Sequence, residues 1–189
     1  MKTSLRILFI GNSHTYYHDM PCRVRRLAEE SGVACEVVML AHGGWFLEQH
    51  VSEPEARFNI LFGHYDYVVL QEHTHPFAPE RKYKSAVAAL NEWIGQAGGR
   101  TVLYETWARQ DEPEKQAEMS RAQRSAAEEI GAVLAPVGEQ WQPYQQSHPE
   151  LALYAEDGAH ASEQGAELAA RVIWASIWAD CRRGSIGGR

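Results

Sequence analysis

The chain has 189 residues, of which 44% are hydrophobic and 23% are charged, and its formal net charge is −7. These proportions are typical of a globular domain. The acidic balance argues against nucleic acid or an anionic membrane as the main partner, because both need a basic surface. No apolar run approaches the roughly 20 residues that a membrane-spanning helix requires, so membrane insertion is not expected.

The N-terminal sequence and the cysteine content predict a cytoplasmic protein. The apolar run at residues 5–10 ends at Gly11 and is too short for a secretory signal with a cleavage site. The three cysteines, Cys22, Cys35 and Cys181, are scattered, which is not typical of a disulfide framework or of a metal site. We expect them to be reduced structural thiols.

Five short apolar runs have the length of β-strands. Their hydrophobicity is continuous rather than alternating, which favours strands that are covered on both faces, as in a parallel sheet. The predicted strands cover residues 5–10, 35–41, 67–71, 102–106 and 133–137.

Amphipathic segments of helical length lie between and after these strands. Asp19 is the candidate N-cap of the first helix, Pro21 lies in its first turn, and Gly32 ends it. Ser162 is the candidate N-cap of the last helix. The later helices are predicted at residues 80–97, 112–130 and 162–179, and a less regular helical segment at residues 53–63.

The alternation of strands and helices predicts an α/β fold, a doubly wound sandwich with a five-stranded parallel sheet, because parallel strands need crossover connections. We expect a single domain over residues 1–183 and a frayed, glycine-rich tail at residues 184–189. In such folds ligands bind beyond the carboxyl ends of the strands. The residues that follow each strand are therefore the candidates for function.

A serine, a histidine and an aspartate are expected near this edge of the sheet. Ser13 follows the first strand, and Asp157 and His160 lie close together before the last helix. A serine hydroxyl needs a general base to take its proton as it attacks, and histidine suits that task near neutral pH. A carboxylate orients the imidazole. The pattern predicts Ser13 as the nucleophile, His160 as the base and Asp157 as its partner.

The same edge offers hydrogen-bond donors for the oxyanion of a tetrahedral intermediate, which acyl transfer requires. The candidates are the Ser13 N–H, one N–H from the pair Gly43 and Gly44, and the side-chain amide of Gln71. Which glycine donates is open, and we favour Gly44.

Taken together, these blocks resemble the SGNH, or GDSL-type, serine hydrolase family in their order and spacing. The resemblance implies a flavodoxin-like three-layer sandwich and an esterase that works through an acyl-enzyme, with no metal or organic cofactor. The blocks that carry it are the segment from Ile10 to Thr15, the pair Gly43 and Gly44, Gln71, and Asp157 with His160.

Two positions depart from the family pattern. Asn12 stands where many members have aspartate, and Gln71 stands where asparagine is commonest. The longer amide of a glutamine can still reach an oxyanion.

Side chains beside these blocks are candidates for lining the substrate pocket. The flat ring of Trp107 and the charge of Arg109 suit a polar, sugar-like alcohol, and short connections leave little chain for a lid over a long acyl group. We therefore expect a short acyl group such as acetyl. The candidate pocket residues are His14, Trp45, Trp107 and Arg109.

Two other functions are compatible with the sequence. One is a noncatalytic carbohydrate- or small-ligand-binding domain of the same fold. The other is a metal-dependent hydrolase built on His73 and His75, for which the spacing fixes no third ligand. We favour the esterase, with a small-molecule ester as its partner. The identity of the acyl and alcohol groups, the choice between ester and thioester, and the oligomeric state are open.

Overall fold

A single parallel sheet forms the centre of the protein. The structure, a computed structural model, describes residues 3–186, with the exception of the side chains of residues 184–186. The strand order is β2-β1-β3-β4-β5, and every adjacent pair is parallel. The strands are β1 (Ser4–Gly11), β2 (Ala34–Ala41), β3 (Tyr67–Leu70), β4 (Arg100–Glu105) and β5 (Val133–Pro136).

Helices cover both faces of the sheet. The α-helices are α1 (Ser13–Tyr16), α2 (Met20–Glu30), α3 (Leu47–Ser52), α4 (Pro54–Phe62), α5 (Glu80–Gln96), α6 (Gln116–Ile130), α7 (Val137–Ser147) and α8 (Glu163–Ile186). Short 3₁₀ turns at Tyr17–Asp19 and Pro113–Lys115 precede α2 and α6.

The strands bury apolar side chains on both faces because successive side chains point in opposite directions. Phe9 packs into one core with α2, α7 and α8, and its neighbour Leu8 packs into the other core with α3, α4, α5 and α6. Leu8 also lies opposite Val38 of β2 and Val68 of β3 in the sheet register. The expected α/β sandwich with a five-stranded parallel sheet is confirmed.

Several helix boundaries differ from the sequence predictions. The segment predicted at residues 53–63 corresponds to α4, which begins at Pro54, a residue that suits the first position of a helix. The segment predicted at residues 112–130 begins as the 3₁₀ turn Pro113–Lys115. Three helices were not predicted: α1 is a single turn, α3 is six residues long, and α7 contains Pro143, which normally interrupts helices.

Helix ends were predicted with mixed success. Ser162 caps the last helix, since its Oγ accepts a hydrogen bond from the Gly165 N–H at 3.1 Å. Asp19 occupies the N-cap position of α2, but its side chain forms no cap hydrogen bond and its backbone is left-handed. The last helix runs to Ile186, so the predicted tail at residues 184–189 overlaps with it, and residues 187–189 lie outside the described residues.

The helices of residues 3–186 include none that is both long enough and apolar enough to span a membrane. The carboxyl ends of β1, β3 and β4 lie side by side in the sheet. The segments that follow these strands carry the candidate site residues.

Candidate active site

The segment after β1 places Ser13 at the first position of the single-turn helix α1. Asn12 caps this helix, because its Oδ1 accepts a hydrogen bond from the His14 N–H at 3.1 Å, and its backbone carbonyl accepts one from the Thr15 N–H at 2.9 Å. The Ser13 N–H belongs to the first turn, where backbone donors have no helical partner. The local structure therefore leaves a donor beside the Ser13 hydroxyl.

Ser13, His160 and Asp157 form a continuous hydrogen-bonded chain. The Ser13 Oγ lies 2.7 Å from the His160 Nε2, and the His160 Nδ1 lies 2.5 Å from the Asp157 Oδ2. The other carboxylate oxygen, Oδ1, accepts the backbone N–H groups of Ala159 and His160, each at 3.0 Å. Partial burial alone would raise the pKa of Asp157, but these hydrogen bonds outweigh it and lower that pKa well below the usual range.

The loop of Asp157 and His160 is fastened to the segment after β4. The Trp107 Nε1–H donates a hydrogen bond to the Ala159 carbonyl at 2.9 Å, and the Gln110 N–H donates one to the Gly158 carbonyl at 2.9 Å. Gly158 itself has a positive φ of 62°. These bonds fix a loop that lies far from Ser13 in the sequence, so that His160 meets the serine.

A tight turn brings the glycine pair to the same edge. The Trp45 N–H donates to the His42 carbonyl at 3.1 Å, and Gly44, with a φ of 75°, occupies the third position of this turn, where a type II turn requires a positive φ. The turn hydrogen bond does not use the Gly44 N–H. The Asn12 Nδ2 donates to the Trp45 carbonyl at 2.9 Å and so ties the turn to the nucleophile loop.

Solved structures resemble this chain over almost its whole length. A candidate SGNH hydrolase from Slackia heliotrinireducens matches with a TM-score of 0.80 and 29% identity, over 92% of this chain and 99% of that one. The expected resemblance to the SGNH hydrolases is confirmed. The expectation of an enzyme of this type, a carboxylic ester hydrolase, agrees with this likeness.

More distant structures share the fold. A DUF4886 family protein from Bacteroides uniformis has a TM-score of 0.76 and 19% identity, over 92% of this chain and 83% of that one. An acetylxylan esterase from Geobacillus stearothermophilus, solved as a catalytic mutant, has a TM-score of 0.70 and 16% identity, over 94% of this chain and 95% of that one. No protein-family model matches the sequence, and no curated protein matches it.

The prediction for Gln71 needs correction. Its side chain is 1% exposed, and its Oε1 accepts hydrogen bonds from the Asn12 N–H and the Thr15 hydroxyl, both at 2.8 Å. Its Nε2 donates to the Glu72 carbonyl. Because the Asn12 N–H can only donate, it fixes the amide oxygen at this position, and the Nε2 uses one of its two hydrogens on the Glu72 carbonyl. Gln71 is therefore a buried support of the nucleophile loop, and its amide is not exposed at the surface of the site.

Two of the predicted pocket residues are buried instead. Trp107 is 0% exposed and stacks on Trp141, with ring centroids 3.6 Å apart, so its contribution is to hold the His160 loop. His14 is also buried, and its ring lies 4.7 Å from the ring of His160. Burial, and then the nearby His160, lower the pKa of His14 to about 3. His14 is therefore a neutral support beneath the site.

The remaining pocket candidates have partly accessible positions. Trp45 is half-buried, and its ring packs 4.1 Å from that of His42. Arg109 donates a hydrogen bond from its Nη2 to the Asp157 carbonyl at 3.4 Å and forms an ion pair with Asp111 at 3.0 Å. Arg109 and His75 also line a cavity of about 560 Å³, and Arg109 connects its wall to the Asp157 loop. This cavity is large enough for part of a small-molecule substrate.

The His73 and His75 pair has other contacts. The His73 ring stacks on Phe46 at 4.3 Å, and its Nδ1 lies 2.8 Å from the Pro76 carbonyl. Burial and the nearby Arg109 lower the pKa of His75 to about 4. Within residues 3–186, no three His, Cys, Asp or Glu side chains are grouped as a metal site would need.

One residue that contacts His160 was not predicted from the sequence. The Tyr17 ring stacks on the imidazole of His160, with centroids 4.1 Å apart and planes inclined by 9°. Tyr17 lies just after α1, and the only signal in the sequence is its closeness to Ser13. A stack on a residue near the other end of the chain has no sequence pattern of its own.

Proposed function

We propose that this protein is an SGNH-type serine esterase that cleaves a carboxylic ester through an acyl-enzyme intermediate. The observation that carries the proposal is the hydrogen-bonded chain from Ser13 through His160 to Asp157, at 2.7 and 2.5 Å. Both distances are within the reach that proton transfer requires, and the order of the three groups is that of an activated serine.

The first half of the reaction acylates the serine. As the Ser13 Oγ bonds to the substrate carbonyl carbon, its proton passes to the His160 Nε2, and the carbonyl oxygen becomes an oxyanion. When the tetrahedral intermediate collapses, the bond to the alcohol oxygen breaks, and His160 returns the proton to that oxygen. Asp157 holds the Nδ1–H and favours the imidazolium during both steps.

The second half hydrolyses the acyl-enzyme. A water molecule gives a proton to the His160 Nε2 and attacks the acyl carbon. The bond to the Ser13 Oγ then breaks, and this oxygen recovers the proton. We assign the oxyanion to the N–H groups of Ser13 and Gly44. The first turn of α1 leaves the former without a helical partner, and the turn at residues 42–45 does not use the latter.

We propose a short acyl group, such as acetyl, on a polar alcohol as the substrate. The cavity of about 560 Å³ that Arg109 lines supports the polar alcohol, because Arg109, Glu112 and Lys115 add charged groups to a wall that is otherwise largely apolar. A polar alcohol can bond to such groups, whereas a long alkyl chain would remove water from them without compensation. The relative from Geobacillus stearothermophilus is an acetylxylan esterase, which agrees with this substrate class.

A fluorophosphonate probe provides the primary test, because it reacts only with an activated serine. We expect the wild-type protein to be labelled and to hydrolyse nitrophenyl acetate in the presence of a chelator. Ser13→Ala should abolish labelling and reduce kcat by about 10³-fold or more. A wild-type protein that is not labelled would favour the noncatalytic binding domain, and one that loses activity to the chelator would favour the metal-dependent hydrolase.

A substrate series tests the acyl and alcohol groups. Nitrophenyl esters from acetate to decanoate, a matched thioester and acetylated sugars should be compared at equal solubility. We expect the highest kcat/KM for acetate and measurable deacetylation of the sugars. Activity that climbs beyond eight carbons, at about 0.8 kcal/mol per CH₂ group, would contradict the short-acyl proposal.

A further inference from the structure

The imidazole of His160 is packed between side chains of the segment that carries the nucleophile. Tyr17 stacks on it in parallel, at 4.1 Å and 9°. His14 packs against it at 4.7 Å and 31°. Both rings come from residues within one turn of Ser13, so a single short segment supplies the serine and two aromatic neighbours of its base.

Few charged groups face this imidazole. Asp157 bonds its Nδ1, and Arg109 reaches the carbonyl of Asp157 at 3.4 Å. His14 and His75 are the nearby titratable side chains, and burial keeps both of them neutral at neutral pH, with pKa values of about 3 and 4. A positive charge on the ring of His160 is therefore paired with the Asp157 carboxylate and covered on one side by the face of the Tyr17 ring.

We propose that Tyr17 is a positioning residue whose ring lies against the imidazole of His160 and stabilises the imidazolium formed during acyl transfer. The face of an aromatic ring carries partial negative charge, which attracts a cation stacked on it. The inference rests on the proposed function, since it needs His160 to take the proton of Ser13.

This role has a kinetic signature that a packing defect does not share. Tyr17 stabilises the protonated ring in the free enzyme at low pH as well as in the transition state. Its loss therefore lowers kcat/KM on the high-pH plateau, where the free enzyme holds a neutral ring. On the acidic limb the ring is protonated both in the free enzyme and in the transition state. The loss of Tyr17 then destabilises the two equally, and kcat/KM is unchanged. The midpoint of the pH profile moves to lower pH.

The experiment compares Tyr17→Leu, which keeps an apolar cover, with Tyr17→Phe, which keeps the ring. Tyr17→Leu should lower the plateau of kcat/KM by about 3–10-fold, with superimposed acidic limbs, a matching shift of the midpoint and little change in KM. Tyr17→Phe should restore the wild-type profile. Tyr144→Leu is the matched control, because Tyr144 stacks on His148 at 4.3 Å in a similar way but lies on α7. It should leave the profile unchanged.

An NMR titration of the His160 ring protons separates this proposal from the proposed function, because it needs no turnover. We expect the midpoint of the titration to fall in Tyr17→Leu and to return in Tyr17→Phe. An unchanged midpoint, or an equal loss on both limbs of the rate profile, would overturn the role of Tyr17. If the midpoint falls but no ester or thioester is cleaved, the proposed function fails and the stabilising stack stands.

Discussion

Asn12 forms two side-chain hydrogen bonds of opposite polarity. Its Oδ1 accepts the His14 N–H, and its Nδ2 donates to the Trp45 carbonyl. The first bond caps the helix that carries Ser13, and the second ties this helix to the turn of Gly44. An aspartate can cap the helix equally well, but an ionised carboxylate has no proton to donate to Trp45. This explains why asparagine suits a position where many family members have aspartate.

Asn12→Asp should therefore weaken the link between nucleophile and turn. The buried carboxylate would face the Trp45 carbonyl, so we expect a loss of about 1–3 kcal/mol of unfolding free energy and a lower kcat with a similar KM. The impairment should ease at low pH, where the protonated carboxyl can donate again. Asn59→Asp is the control, since the Asn59 Nδ2 donates to the Glu55 carbonyl at 3.0 Å on an exposed helix. Equal effects of the two substitutions on kcat would contradict this explanation.

The pH dependence of the rate is a second test at the residue scale. His14 and His75, with pKa values of about 3 and 4, do not titrate between about pH 5 and 8. If His160 is the base, kcat/KM for a nitrophenyl ester should rise with pH through a protonation step of its imidazole. His75→Gln should keep that step. A profile that loses the step in His75→Gln would instead assign the base to His75.

At the scale of elements, the turn at residues 42–45 decides where the Gly44 N–H points. Gly44 has a φ of 75°, and no atom lies within 4 Å of the position that a Cβ would take. Gly32, which lies between α2 and β2 at the opposite edge of the sheet, has a φ of 79° and equally open surroundings. The two glycines therefore need the same left-handed backbone conformation at different places in the fold. An alanine at either position would have the same backbone strain.

Gly44→Ala and Gly32→Ala form a matched pair. Each should lose about 1–2 kcal/mol of unfolding free energy, because a left-handed backbone disfavours a Cβ. Only Gly44→Ala should also lower kcat, by about tenfold or more, since a displaced oxyanion donor weakens binding of the transition state. Thermal unfolding and ester kinetics on both variants check this. A normal kcat in Gly44→Ala, with the expected loss of stability, would remove Gly44 from the oxyanion site.

At the scale of the whole molecule, buried carboxyl and imidazole groups link stability to pH. Burial raises the pKa of Glu72 and of Glu105 to about 7, and burial lowers the pKa of His14 and of His75 to about 3 and 4. Between about pH 4.5 and 7 the two carboxyls therefore bind more protons in the native state than in the unfolded state. As a result, the free energy of unfolding falls as pH rises through this range. The two imidazoles act in the opposite direction below about pH 6.5. Their effects offset each other between about pH 4.5 and 6.5.

Glu105→Gln should change this balance outside the active site. Glu105 is 0% exposed, and its Oε1 accepts hydrogen bonds from the Ser120 hydroxyl at 2.8 Å and the Glu139 N–H at 2.9 Å. Because its pKa is raised, ionisation of Glu105 disfavours the folded state. The free energy of unfolding is highest below about pH 4.5 and falls by roughly 3 kcal/mol as pH rises through about 7. A glutamine keeps the acceptor and never ionises.

The measurement is the Tm of both proteins at pH 5 and pH 8. We expect the Tm of Glu105→Gln, relative to the wild type, to be higher at pH 8 than at pH 5. Glu156→Gln is the control, because Glu156 is exposed, and it should show no such difference. The same Tm difference for Glu105→Gln at both pH values would mean that Glu105 does not ionise in this range.

The amino-acid sequence by itself determined the sheet and the order of the chemical groups. Continuous apolar runs correctly predicted the five strands, because a strand covered on both faces must be apolar throughout. The positions of Ser13, Asp157 and His160 after strands or before the last helix, together with the family resemblance, also followed from local patterns. These features depend on residues that are near one another in the chain.

Only the tertiary structure decided what each side chain contacts. Gln71 and Trp107 follow strands as expected, but the first bonds the Asn12 loop and the second bonds the loop of His160. The stack of Tyr17 on His160 joins opposite ends of the chain. Such contacts depend on how strands and loops meet in space, and a side chain of given type can bind a substrate or a neighbouring loop with the same atoms. The sequence specifies those atoms, and folding selects their partners.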